Sequence, residues 1–178
     1  MSFDLPRALR RIRPQRTSAP VETTPADFDV EASRPELLLD TCVYIDVAQK
    51  RASAELKVLL RRRLTRHSAV ALAELTHLFG RLDPHHPGTA SALRELTAII
   101  NDIPGRRLTA PTARTLGEAG MLAGLAARLR GRPHDQATLN DAILHLQAAE
   151  GGWVLVTRNS GDFSLLKRLS PATEVFLY

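Results

Sequence analysis

Two kinds of apolar segment alternate along this chain. Short runs without a polar interruption stand at Leu37-Leu38-Leu39, Trp153-Val154-Leu155-Val156 and Val175-Phe176-Leu177. A run that is apolar at every position suits a strand covered on both faces, as in a parallel sheet. The longer segments space their apolar residues at helical intervals. They predict helices from about Val43, over Ser53–Leu64, from Ser68 to near Gly80, over Thr89–Ile100, from Pro111 to about Arg130, over Asp135–Ala149 and over Asp162–Leu169. Ser53 and Ser68 are suited to cap the helices they precede, because a hydroxyl oxygen accepts from free N–H groups of the first turn. The segment Asp83-Pro84-His85-His86-Pro87-Gly88 reads as a turn, and Gly151-Gly152 breaks a helix. In the long helix, Gly117, Gly120, Ala123, Gly124 and Ala127 predict the close approach of another backbone. Strands that alternate with helices imply an α/β chain, with a mostly parallel sheet covered on both faces.

The first 35 residues break this pattern. They hold five of the eleven prolines and no sustained apolar period. Such a segment buries too little surface to offset its ordering entropy. The expectation is a Pro/Arg-rich, flexible tail over 1–35, in which Leu5–Ile12 forms a short helix on a partner, followed by one domain over 36–178.

Composition narrows the setting. Hydrophobic residues make up 44%, enough for a core. A single cysteine, Cys42, excludes a disulfide framework and a cysteine-rich zinc site. A reducing, cytoplasmic location fits, and neither a signal peptide nor a membrane-crossing run is expected. The formal charge is +5, unevenly placed. Residues 50–66 carry Lys50, Arg51, Lys57, Arg61, Arg62, Arg63 and Arg66 against Glu55 alone. That density suits a phosphate backbone, and it equally suits a solvated helix face. Aromatic residues are only 4%, so an extended base-stacking platform is not expected, and binding of a polyanion would rest on its backbone charge. Arg61, Arg62, Arg63 and Arg158 are the candidate phosphate contacts.

Four acids stand out by their surroundings. Asp40 directly follows Leu37-Leu38-Leu39, at the rim where ligands of parallel sheets sit. Taken alone, Asp40 reads more readily as the N-cap of a helix. Glu74 lies in Val70-Ala71-Leu72-Ala73-Glu74-Leu75, and Asp141 in Leu139-Asn140-Asp141-Ala142-Ile143-Leu144. Carboxylates embedded in apolar helix faces need a partner, because burying an unpaired charge is costly. Asp162 follows the second apolar run, after Thr157-Arg158-Asn159. Acids converging on one cleft repel one another unless a cation sits between them, and hard oxygen ligands suit Mg²⁺ or Mn²⁺.

At this point four segments, taken in order, resemble the motifs of PIN-domain ribonucleases. Leu37-Leu38-Leu39-Asp40-Thr41-Cys42-Val43-Tyr44-Ile45-Asp46 is similar to the opening motif, and Ser68 to Leu75, centred on Glu74, to the second. Leu139-Asn140-Asp141-Ala142-Ile143-Leu144 is similar to the third, and Val154 to Phe163, with Thr157, Arg158, Asn159 and Asp162, to the fourth. Each is weak singly; the four in order and spacing are specific, and they cover 36–178. Within the superfamily the chain looks most like the VapC toxins of toxin–antitoxin pairs. One departure is Cys42, where the family more often has Asn or Ser, and no role is assigned to it.

The resemblance implies a three-layer α/β/α PIN fold and a divalent-metal-dependent endoribonuclease. It implies that Asp40, Glu74, Asp141 and Asp162 hold Mg²⁺ or Mn²⁺, with Asp40 and Asp141 in direct contact and Glu74 and Asp162 acting through water. Thr41, Thr157 and Asn159 would orient those acids. The implied partners are an RNA substrate, a cognate antitoxin that inserts a C-terminal segment into the site, and a second copy of the chain. The apolar helices between residues 53 and 80 are the candidate docking surface. Two alternatives stay open: a PIN nuclease of general RNA processing, and a catalytically silent interaction module. Asp46 is kept as an accessory acid. His77 and His145 share helix faces with Glu74 and Asp141, but histidine matches Mg²⁺ poorly. No Gly-rich phosphate loop and no Gly-x-Ser-x-Gly elbow exists.

Overall fold

The computed structural model describes residues 3–12, 35–131, 133 and 135–178. The three unbroken apolar runs become strands: Leu37–Leu39 (β1), Val154–Thr157 (β4) and Glu174–Leu177 (β5). Two further strands, Thr65–Ser68 (β2) and Leu108–Thr109 (β3), carry no apolar run to announce them. The sequence of β2 is Thr-Arg-His-Ser, and its extended form comes from pairing on both sides. Leu37 of β1 is in register with Thr65 of β2 on one side and with Val154 of β4 on the other. All pairings are parallel, and the order is β3-β2-β1-β4-β5. The chain thus steps outward from β1 through β2 to β3, then returns to the other side of β1. The order reverses between β1 and β4, and the crevice beyond that reversal is where ligands of open parallel sheets bind.

Helices cover both faces. Thr41–Ala48 (α2), Ala54–Arg62 (α3), Ala69–Arg81 (α4) and Thr89–Asn101 (α5) lie on one face, and Ala113–Arg130 (α6), Gln136–Gly151 (α7) and Ser160–Leu169 (α8) on the other. Alternation along the strands divides the core. Leu38 and Leu155 pack with Leu122, Leu144 and Phe163; Leu37, Leu39, Val154 and Val156 pack with Val43, Leu56 and Leu75. The expected caps are present: the hydroxyls of Ser53 and Ser68 accept from Leu56 N and Val70 N, each at 3.1 Å. Gly152, at φ 65°, closes α7 in the left-handed conformation that glycine adopts without penalty.

Two expectations are corrected. Within the 1–35 segment, Leu5–Arg11 forms a helix (α1) that packs on the domain rather than staying flexible. Ala8 is fully buried, Ile12 joins the core cluster of α6, and Arg11 meets both oxygens of Glu118, at 3.0 and 2.8 Å. Two well-placed apolar residues and an ion pair to a buried carboxylate supply what composition averaged over 35 residues hides. Residues 13–34 lie outside the described part. The second correction concerns α6: Gly120 and Gly124 face solvent, Ala123 and Ala127 make the buried stripe, and Gly117 receives the ring of Phe3.

Candidate active site

Asp40 occupies the N-cap position of α2 but makes no capping bond with its side chain. Its carboxylate is buried and turned toward β4. The Thr157 hydroxyl donates to Oδ2 at 2.5 Å, and the Cys42 thiol donates to the same oxygen at 3.0 Å. The capping alternative for Asp40 therefore falls. Thr157 in turn accepts from the backbone N–H of Asn159 at 2.9 Å, which fixes the start of the next turn.

Asn159 is the hub of the second half. As N-cap of α8 it accepts from Asp162 N at 3.2 Å. Its amide nitrogen donates to Asp141 at 3.0 Å and to Asp162 at 2.7 Å. Glu74, on α4, accepts from the Thr41 hydroxyl and from Asn140 at 2.6 Å. The four acids therefore come from the end of β1 and from α4, α7 and α8, and they meet at the reversal between β1 and β4. Thr41, Thr157 and Asn159 each donate to at least one of them.

The field at this point is strongly negative. The carboxyl of Asp141 is pushed up to about 8, first by burial and then by the charges of Asp40, Asp162 and Glu74, with Arg130 opposing. Among the described residues, no three His, Cys, Asp or Glu side chains are grouped so that they could hold a metal ion together. Threonine and asparagine donors hold the acids instead. That is compatible with Mg²⁺, which keeps several waters and takes few protein ligands. The donor set is all oxygen, as a hard cation requires.

A groove of about 760 Å³ runs beside the acids. Glu74, Thr41, Cys42 and Asn140 form part of its wall, Ile45, Val70 and Leu116 give it an apolar side, and His77, Arg81 and Arg158 add nitrogen groups.

The arginine expectations divide. Arg158 lies on the groove wall, which Glu74 also lines. Arg61 and Arg62 are exposed at the end of α3, which feeds the start of β2; parallel pairing places that end at the edge of the sheet opposite Asp40. Arg63 is buried and donates to the carbonyl of Pro35, so it is a structural residue and not a surface phosphate contact. A run of adjacent charges in sequence does not reveal which edge of the sheet it reaches. His145 is likewise structural: fully buried, at 2.8 Å from the Ser170 carbonyl, with burial lowering its pKa to about 4. His77 stands on the groove wall.

Three neighbours of the candidate residues escaped the sequence reading. Asn140 holds Glu74, and its place beside Asp141 was the available signal. Arg130, at the end of α6, pairs with Asp162 and donates to the Gly161 carbonyl at 3.1 Å; no spacing links it to the motifs. Arg51 joins Arg158 on Asp46, which is 1% exposed.

No protein-family model and no curated protein matches the chain. Solved structures do. VapBC2 from Rickettsia felis, bound to a DNA fragment from their promoter, matches with TM-score 0.57 at 18% identity, over 80% of this chain and 98% of that one. FitAcB from Neisseria gonorrhoeae gives 0.57 at 19%, over 79% and 96%. VapBC-1 from nontypeable Haemophilus influenzae gives 0.53 at 20%, over 78% and 95%. The chain has the PIN fold. With that fold, the all-parallel five-stranded sheet and the acids beyond β1 and β4 fall into one frame. Among the described residues, no helix is long and apolar enough to cross a membrane.

Proposed function

We propose that the chain is a divalent-metal-dependent endoribonuclease and the toxin of a toxin–antitoxin pair. The observation that carries the reading is the meeting of Asp40, Glu74, Asp141 and Asp162, from four separate elements, at the reversal of strand order. A structural role explains one buried acid; three further acids within reach of the Asp141 charge favour a cation. Asp40 and Asp141 would hold Mg²⁺ or Mn²⁺ directly, with Glu74 and Asp162 acting through water. The metal would supply an activated water and a charge to offset that of the phosphorane.

The residues have separate tasks. Thr157 and Cys42 hold the Asp40 carboxylate so that its lone pairs point one way. Asn159 ties Asp141 to Asp162, and Thr41 with Asn140 fixes Glu74. Such outer partners set ligand orientation and affinity. Arg130 tempers the charge on Asp162, and Arg158 offers a cation to the RNA backbone along the groove.

The partner half of the proposal draws on the neighbours, which are VapBC and FitAB complexes. The apolar side of the groove suits an inserted antitoxin segment, while Val58, Leu64 and Phe79 expose apolar surface for docking or for self-association. Cytoplasmic location goes with an RNA substrate.

The test compares wild type with Asp40→Asn on total bacterial RNA, with Mg²⁺ or Mn²⁺ and with EDTA. Cleavage by wild type alone, abolished by EDTA, is the expected result. Absence of both cleavage and metal binding in a folded protein would leave only the silent interaction module.

A further inference from the structure

Asp46 is a carboxylate that the acid cluster does not use. It sits on α2 and is 1% exposed, yet every lone pair finds a donor. Nη1 of Arg158 lies 2.8 Å from both of its oxygens. Arg51 reaches Oδ1 with Nε at 3.1 Å and Nη2 at 3.0 Å, and the Tyr178 hydroxyl donates to Oδ2 at 3.0 Å. One buried acid thus holds two arginines and leaves one net positive charge.

The distribution of exposure matters. Here the carboxylate is hidden, while the Arg158 side chain stays 53% exposed and that of Arg51 55%. Arg158 is also fixed at its root, where its backbone N–H donates to the Cys42 thiol at 3.3 Å. Only Nη1 is used by Asp46, so the remaining donors of the fork are open to the groove that Thr41, Cys42, Glu74 and Asn140 line. An arginine tethered by one arm keeps its planar fork for bidentate contact with a phosphate. The need is electrostatic: the ionised acids of the cluster repel an incoming phosphodiester, and a fixed cation on the groove wall offsets the repulsion before the metal and substrate are engaged.

We infer that Asp46 is a positioning residue that holds the Arg158 guanidinium on the groove wall as the contact for a phosphate of the RNA backbone. The inference rests on the ribonuclease reading and adds to it the residue that sets the phosphate contact. Asp46 touches no reacting atom; its effect is pre-organisation, which cuts the ordering cost of binding.

The test measures binding of a fluorescein-labelled single-stranded RNA to the full chain, with EDTA present so that no strand is cut. Arg158→Ala and Asp46→Ala each weaken binding about tenfold, the scale of one coupled charge contact. Each also lowers the slope of log K against log salt by about 0.7, as expected for one lost phosphate contact on a single strand. The Asp46→Ala/Arg158→Ala double variant binds no worse than Arg158→Ala alone, because Asp46 acts through Arg158. Additive losses, or Asp46→Ala binding at the wild-type level, overturn the inference. If Asp46→Ala fails to fold, isosteric Asp46→Asn takes its place, with the same non-additivity required. Wild type that cleaves RNA but shows no Arg158 dependence sinks this inference alone. Wild type that neither binds nor cleaves RNA sinks the ribonuclease reading beneath it.

Discussion

The hydroxyl of Thr157, at the end of β4, donates to Oδ2 of Asp40, at the end of β1, over 2.5 Å. Two adjacent parallel strands are thereby joined at their carboxyl ends. Thr157 is fully buried, so no water substitutes for it. Replacing it with valine keeps the shape and removes the donor. The Asp40 carboxylate then relies on the Cys42 thiol, a weak donor. Thr157→Val is expected to lower Mn²⁺ affinity by roughly tenfold or more, as loss of an outer-shell partner does. Isothermal titration with Mn²⁺ reads it directly. Unchanged affinity would show that Asp40 needs no orientation from β4.

Asp141 makes the stability of the metal-free protein depend on pH in an unusual direction. Its carboxyl stays protonated in the fold up to about 8, against about 3.9 in an unfolded chain. Between these values the folded chain carries a proton that the unfolded chain has lost, so stability falls as pH rises. Buried His145 acts oppositely: with its pKa lowered to about 4 from 6.5, it adds stability as pH rises to about 6.5. The window that isolates Asp141 is therefore about 6.5 to 8. Urea midpoints without metal should fall across that window, and Asp141→Asn should flatten the trend. Mn²⁺ should stabilise wild type more at pH 8 than at pH 6.5. A flat wild-type profile in that window would mean that neither burial nor the neighbouring acids raise the Asp141 carboxyl.

How much of this was legible in the sequence depended on whether the cause was local. Leu37–Leu39 and Val154–Thr157 announced their strands because burial on both faces writes itself into every position. The acids were legible because carboxylates among apolar residues are costly without partners. Thr65–Ser68 was not legible, because its strand state comes from β1 and β3 and not from its own side chains. Arg130 and Arg51 were invisible for the same reason: nothing local ties them to Asp162 or Asp46.

The N-terminal helix gives a test of packing against composition. Ile12 is 3% exposed and joins the cluster formed by α6, α7 and α8. Ile12→Ala removes buried methyl groups and is expected to cost about 2 kcal/mol or more. Leu9, on the same short helix, is half exposed, and Leu9→Ala should change stability by about 0.5 kcal/mol or less. Urea unfolding of the full chain compares the two. Equal, small effects would show that α1 adds nothing to the core and that the flexible-tail expectation was right after all.

The last prediction concerns which edge of the sheet meets RNA. Arg61 and Arg62 belong to the densest basic stretch of the sequence, and charge density alone nominates them as phosphate contacts. The topology argues otherwise. Their helix, α3, leads into β2, whose first residue, Thr65, is in register with Leu37, the first residue of β1. Asp40 stands three residues further on, about 10 Å along the strand direction at the rise of a β-strand. Both arginines therefore lie at the far edge, while Arg158 lines the groove beside the acids. Arg61→Ala/Arg62→Ala should leave RNA affinity and its salt slope near wild type, and Arg158→Ala should lower both. Fluorescence anisotropy at two or more salt concentrations separates these outcomes. If the Arg61/Arg62 variant flattens the salt dependence and Arg158→Ala does not, RNA wraps the opposite edge, and the charge pattern of the sequence was the better guide than the strand register.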